Sequence, residues 1–153
     1  MTANPKLRGV IFDRTHVIER ARKKIGELGL AERCSLVEGD FFKGLPRGCD
    51  AILLKHVIHD WNDEQAAAIL TNCRCALQPG GKVLIVEGVY PAHIDQSEIS
   101  KGVTGNDVNM LVCTGGCERS EVDFRALFDA TGFAFSRIVP TPSRVSVVEG
   151  VRA

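Results

Sequence analysis

Short apolar runs alternate with segments of helical period along this chain, and that alternation restricts its fold more than any other feature. Leu7-Arg-Gly-Val-Ile-Phe12 ends in Asp13 and is followed by Val17, Ala21, Ile25 and Leu28 at helical spacing, with Gly29 as the C-cap. A second run, Cys34–Glu38, leads into Gly39-Asp40, and the turn-rich stretch 43–48 precedes the continuous run Ala51-Ile-Leu-Leu54, which reads as a buried parallel strand. Asn62 or Asp63 caps a helix whose Ala66, Ile69, Leu70, Cys73 and Leu77 share a face, and Pro79-Gly-Gly81 separates it from the strand Lys82–Val86.

The stretch from Gly88 to Asn106 shows no period, and it is too long for an ordinary crossover loop, so it is expected to be an irregular segment on the substrate side. Ser120 and Asp123 form a capping-box start to a helix through Ala130, ended by Gly132. Phe133–Val139 and Arg144–Val151 then predict two closing strands. Strands alternating with helices before a terminal strand pair predict an α/β sheet covered by helices on both faces, with ligands bound beyond the strand C-termini.

Composition narrows the function. With 153 residues and 44% apolar content the chain is long enough for one packed domain. Nineteen basic and nineteen acidic side chains cancel, so no net field draws it to nucleic acid or to anionic lipid. No leader is evident in MTANPKLRGV, and no apolar run reaches the roughly 18 residues of a membrane helix, which predicts a cytoplasmic location. The six scattered cysteines read as reduced structural thiols. Cys73 and Cys75 fall on different sides of a helix, and Cys113 and Cys117 lack a second pair, so no metal site is expected.

Polar residues collect just after the strands: Asp13, Asp40, His59-Asp60 and Glu87 all belong to one sheet edge. An acid in the position of Asp13 accepts hydrogen bonds from ribose hydroxyls in nucleotide-binding sheets, or simply caps the helix that follows. His59 equally orders the turn before Asn62. His56 and His59 fall on opposite faces if the strand continues through both, which speaks against a metal pair.

In order along the chain, FDRTHVIERA, VEGDFF, LLKHVIHDWNDE, LQPGGKVLIVE and TGGCERSEVDFRALFDATGF resemble the motifs of the S-adenosylmethionine-dependent small-molecule O-methyltransferases, from Pro5 to Val151. That family includes plant caffeate and flavonoid enzymes and bacterial antibiotic-tailoring enzymes. The resemblance implies a Rossmann-like methyltransferase sheet that uses S-adenosylmethionine and a small, hydroxyl-bearing, mostly aromatic acceptor. It assigns Asp13 to the ribose, Asp40 and Phe41 to the adenine end, and Lys55 to a further cofactor contact. His59 becomes the general base, with Glu87 and Glu118 flanking its imidazole, and Trp61, Asn109 and Met110 line the acceptor pocket.

Two family features have no counterpart in these residues: the first strand with its GxGxG-type loop, and the N-terminal helical domain that builds the family's homodimer. The sequence therefore predicts the C-terminal catalytic portion of such an enzyme. The missing strand belongs between the one ending at Asp13 and the one ending near Lys55, and Arg14-Thr15 replaces the family's usual Leu-Pro. A non-catalytic remnant that binds cofactor poorly is the alternative. A short-chain nicotinamide-dependent reductase is disfavoured, because it needs Tyr and Lys four apart and Tyr90 has Ile94 at that offset.

Overall fold

A computed structural model describes residues 1–153 apart from the side chain of Ile99. The chain comprises two compact units, Met1–Pro46 and Arg47–Ala153.

In the first unit, β1 (Gly9–Asp13), α1 (Thr15–Glu27) and β2 (Cys34–Glu38) form a βαβ unit. The strands pair in parallel from Gly9↔Cys34 to Asp13↔Glu38, so both deliver their C-termini to one edge. Ile25, Leu30 and Cys34 form a small buried cluster with Met1, Ile11 and Leu36 packed against it, and Ile18 of α1 is buried as well. Gly29 takes φ 65, the left-handed conformation that closes a helix, and Leu30 N–H returns to Ile25 O at 3.0 Å. The Arg33 guanidinium collects the carbonyls of Met1, Asn4, Pro5 and Leu7, which ties the N-terminal segment down.

The second unit contains β3 (Cys49–Lys55), a 3-10 turn (Ile58–Asp60), α2 (Asp63–Ala76), β4 (Leu77–Glu87), β5 (Val89–Tyr90) and α3 (Glu98–Cys113). It continues with β6 (Arg119–Ser120), α4 (Glu121–Thr131), β7 (Phe133–Pro140) and β8 (Ser146–Arg152). Its sheet has the order β3-β4-β8-β7, with β3 and β4 parallel and the closing β7–β8 pair antiparallel, in line with the α/β architecture expected. Register places Ile52, Val83 and Gly150 on one face. Gly150 is required there, because a Cβ would meet the Phe128 ring of α4 at 2.8 Å. Helices α2 and α4 pack on each other, and Ile69, Leu70, Cys73, Phe124 and Phe128 are fully buried.

Three local readings need correction. The run Ala51–Leu54 is parallel but buried on one face only: Ile52 and Leu54 point inward, while Leu53 is 63% exposed. Pro79-Gly80-Gly81 does not precede the strand but lies within β4, where pairing jumps from Cys49↔Leu77 to Ala51↔Lys82. The stretch expected to be irregular up to Asn106 is largely ordered, since α3 begins at Glu98. Ser97 caps it by accepting from Ser100 N–H at 3.2 Å. Asp95 accepts from Ser97 N–H and the Ser100 hydroxyl, bonds that hold its carboxyl at about 2.

Candidate active site

The site is built on the abrupt end of β3. His56, the residue after Lys55, has φ 53, a left-handed conformation that side chains tolerate poorly, and it turns the chain out of the strand into the 3-10 turn that carries His59. The strand therefore does not continue through both histidines, and the opposite-face expectation fails. Their rings lie 5.3 Å apart between centroids, tilted by 32°.

Two buried ionic groups hold this turn. Glu87, at the C-terminus of β4 and 1% exposed, accepts with Oε1 from the N–H groups of Val57 (3.0 Å), Ile58 (2.6 Å) and His59 (3.3 Å). Burial pushes its carboxyl above the ordinary value, while the His59 charge and these three donors oppose that rise. From the other side, Arg119 donates to the carbonyls of Ile58 (3.0 Å) and Trp61 (2.9 Å), and it bridges to Asp63 Oδ1 at 2.7 Å. Donors of the turn thus meet a carboxylate and its carbonyls meet a guanidinium, so a segment with little regular structure of its own has most of its backbone satisfied.

The His59 ring is buried, with Nδ1 2.9 Å from Glu118 Oε1 and Nε2 3.8 Å from Asp60 Oδ1. The hydrogen bond to Glu118 is the main reason that the imidazole's pKa lies above its ordinary value, against the opposing effect of burial. Glu118 is itself positioned by α3: Asn106 donates its amide to the same Oε1, and Asp107 Oδ1 accepts from Glu118 N–H at 2.8 Å. Its Oε2 is buried and accepts no hydrogen bond among the described residues. Gly116 packs on the backbone of the turn, where a Cβ would run into His59 O and reach Trp61 N at 2.7 Å.

Glu87 and Glu118 thus differ from a matched pair of flanking carboxylates. Glu118 contacts the ring, whereas Glu87 contacts the backbone beneath it and reaches the ring only through its charge. A cavity of about 240 Å³ opens beside them, lined by His56, His59, Gly88, Asn106, Glu118 and Arg144 among others. Trp61, Asn109 and Met110 are not among its lining residues. Trp61 is half-buried, Asn109 is exposed and accepts from Cys113 Sγ at 3.4 Å, and Met110 is buried in the packing of α3. Asn106, Asp107, Gly116 and Arg119 were not singled out in the sequence. Arg119 directly follows Glu118, and that adjacency was the one available signal.

In the first unit, Asp13 ends β1 exposed, and its Oδ1 accepts from Arg14 N–H at 2.7 Å. The N-cap position of α1 is Arg14, which makes no side-chain capping bond, so Asp13 is not that helix's cap. Asp40 Oδ1 accepts from Phe42 N–H at 3.0 Å and Oδ2 from Arg14 Nη1 at 2.8 Å. The first of these bonds is the largest influence holding its carboxyl below the ordinary value. Phe41 is half-buried, with its ring edge-on to Phe42 at 5.0 Å. Lys55, in the second unit, is exposed at the end of β3. All six cysteines are free thiols. Among the described residues no group of three His, Cys, Asp or Glu could hold a metal ion, and no helix is long and apolar enough to cross a membrane.

A family model described as an O-methyltransferase domain matches residues 1–134. The chain is similar to phenazine O-methyltransferase PhzM of Lysobacter antibioticus, at 41% identity over 97% of this chain and 42% of that protein. It is also similar to caffeic acid 3-O-methyltransferase of Rosa chinensis, at 39% identity over 95% of this chain and 38% of that protein. Among solved structures, that of NcsB1, an O-methyltransferase from neocarzinostatin biosynthesis in complex with S-adenosylmethionine and 2-hydroxy-5-methyl naphthoic acid, superimposes with a TM-score of 0.88. Its identity is 35% over 99% of this chain and 43% of that one. The chain spans about two fifths of the length of the curated relatives it matches.

Proposed function

Because the chain belongs to the O-methyltransferase domain family, we propose that it carries the acid–base machinery for S-adenosylmethionine-dependent methylation of a hydroxyl on a small aromatic molecule, with His59 as the general base. The observation that carries this reading is the buried His59 Nδ1···Glu118 Oε1 contact of 2.9 Å. Nδ1–H donates to the carboxylate, which leaves Nε2 with its lone pair as the proton acceptor.

S-adenosylmethionine supplies an electrophilic sulfonium methyl. The chain's own task is to remove the hydroxyl proton as the oxygen attacks. A phenol with a pKa near ~10 and an ordinary histidine near ~6.5 differ by about 5 kcal/mol, so prior deprotonation by an unassisted imidazole is costly. Glu118 reduces that cost by favouring the imidazolium, and proton transfer concerted with methyl transfer avoids accumulation of free phenolate. Glu87 and Arg119 keep the ring in place by holding the backbone of its turn.

The donor set of the first unit fits the nucleoside end of the cofactor. Asp13 presents an exposed carboxylate of the kind that accepts from a ribose diol, and Asp40 and Phe41 add an acceptor and an aromatic face at the same end of the β1–β2 pair. Lys55 is assigned to a further cofactor contact. Trp61, Asn109 and Met110 are assigned to the acceptor side, Trp61 directly after the 3-10 turn that carries His59 and Asn109 and Met110 on α3.

The test has two parts. Calorimetric titration with S-adenosylmethionine is expected to give heat in the wild type and none in Asp13→Ala. Methyl transfer to a panel of hydroxyarenes, followed by release of S-adenosylhomocysteine, is expected to fall about 10²–10⁴-fold in His59→Ala. Undiminished turnover in that variant removes His59 from the mechanism.

A further inference from the structure

The cavity beside His59 holds one cation that the base mechanism does not use. Arg144 lies in the β7–β8 connection and is the only lysine or arginine among the residues lining that cavity. Other arginines of the second unit are engaged: Arg119 with Asp63, Arg125 with Glu121, Arg137 with Glu149. No hydrogen bond or ion pair engages the Arg144 guanidinium among the described residues.

Its position is nonetheless defined. Thr141 Oγ1 donates to Val145 O at 2.6 Å and accepts from Ser143 N–H at 3.3 Å, which pins the loop on both sides of Arg144. The guanidinium then lies over α3 at Gly102, where a Cβ would meet Nη1 at 3.3 Å. A glycine at that point leaves the space in which the head group sits.

Glu118, the one carboxylate lining the cavity, is committed to His59 and Asn106, so it does not pair with Arg144. An unpaired guanidinium offers a planar fork that matches a carboxylate in bidentate geometry. A neutral acceptor offers such a group a lone oxygen at best, whereas a carboxylate offers two oxygens and the opposite charge.

We propose that Arg144 reads a carboxylate on the acceptor, so that the molecule taken by the His59 cavity is a hydroxyarene bearing a carboxyl group. This rests on the cavity being the acceptor site of the proposed methyl transfer. Arg144 is then a specificity determinant: it holds the acid end of the molecule while the hydroxyl faces His59. At about 240 Å³ the cavity is smaller than most ligand pockets, which run from roughly 300 Å³ upward, so it suits an acceptor of no more than one or two rings.

The experiment measures binding of the three positional isomers of hydroxybenzoate and of their carboxamides to the 153-residue chain. Each pair differs in charge and scarcely in shape. At least one acid is expected to bind about tenfold or more tightly than its amide, as a charge-assisted bond provides. Arg144→Gln brings that ratio close to one by weakening the acid far more than the amide, and Arg144→Lys restores part of it. Equal binding of acids and amides in the wild type, or equal weakening of both in Arg144→Gln, overturns the role of Arg144 and leaves the acceptor site standing. Absence of binding by every acid and amide overturns the acceptor-site reading itself, and the proposal with it.

Discussion

His59 illustrates how one residue's chemistry depends on a partner far away in sequence. The pKa of its imidazole is raised above the ordinary 6.5 chiefly by the bond it donates to Glu118, so the working base is charged at neutral pH for more of the time than a free histidine. The rate of methyl transfer is therefore expected to rise along a limb whose midpoint exceeds 6.5, because only the neutral ring accepts a proton. Glu118→Gln keeps the shape and a hydrogen-bond acceptor but removes the charge, and it should move that limb toward lower pH. Titration of the ring protons by NMR reads the same shift without turnover; an unmoved midpoint removes Glu118 from its role. The stability sign follows. Because the folded pKa is raised, the interaction stabilises fully below about 6.5 and is lost as pH climbs through the folded value. Glu87, raised by burial from 4.5, also makes the native state the better proton binder in its own window, so stability falls there too as pH rises. In the sequence His59 and Glu118 were recognisable only by motif, since nothing local joins residues whose meeting depends on α3 and the 3-10 turn. That Glu87 serves the backbone rather than the ring was not legible at all, because it depends on where β3 breaks.

Among the elements, the 3-10 turn Ile58–Asp60 depends on its neighbours more than any other segment. Three residues make one marginal turn, and its order comes from Glu87 on its N–H groups, Arg119 on its carbonyls, and Gly116 against its backbone. Gly116→Ala tests this directly. A Cβ there meets backbone atoms of His59, Asp60 and Trp61, which cannot swing aside as a flexible side chain would. The turn must move, carrying the imidazole off Glu118. The expected result is a loss of roughly 1–3 kcal/mol in unfolding free energy, together with return of the ring's titration midpoint toward its ordinary value. Gly105→Ala is the control, because a Cβ there meets nothing within 4 Å. If Gly116→Ala leaves the midpoint in place, Gly116 is not what seats the turn. Elements were legible wherever period and cap agreed. Asn62 and Ser120 cap α2 and α4, each accepting from an N–H three residues on, and Gly132 closes α4 at φ 74. Helix α3 was not legible because Gly102 and Gly105 weaken its helical propensity, and because the apolar residues Val108, Leu111 and Val112 are exposed rather than aligned on a core.

At the scale of the whole molecule, the two units differ in what holds them. The second has a sheet of four strands with fully buried Val83, Ile85 and Val148 beneath α4. The first has a two-stranded sheet, and its buried apolar residues are Ile18, Ile25, Leu30 and Cys34. A pair of strands with so little apolar cover is marginal in water, and a segment of 46 residues is near the lower limit for folding without staples. The alternation of runs read from the sequence treats both alike, because period reports which face is apolar and not how much covers it. Native-state hydrogen exchange is expected to separate them, with the amides of β1 and β2 opening at lower free energy than those of β4. The nucleoside assignment sharpens this. If Asp13, Asp40 and Phe41 hold S-adenosylmethionine, the ligand binds the ordered first unit and not its opened form, so at a hundredfold excess over Kd it stabilises by about 2.7 kcal/mol. Exchange in β1 and β2 should then slow about a hundredfold, and Asp13→Ala should abolish that protection. Protection that appears in β3 and β4 but not in β1 and β2 would mean that the cofactor is held from the Lys55 side alone, and that Asp13 does no more than accept the Arg14 N–H.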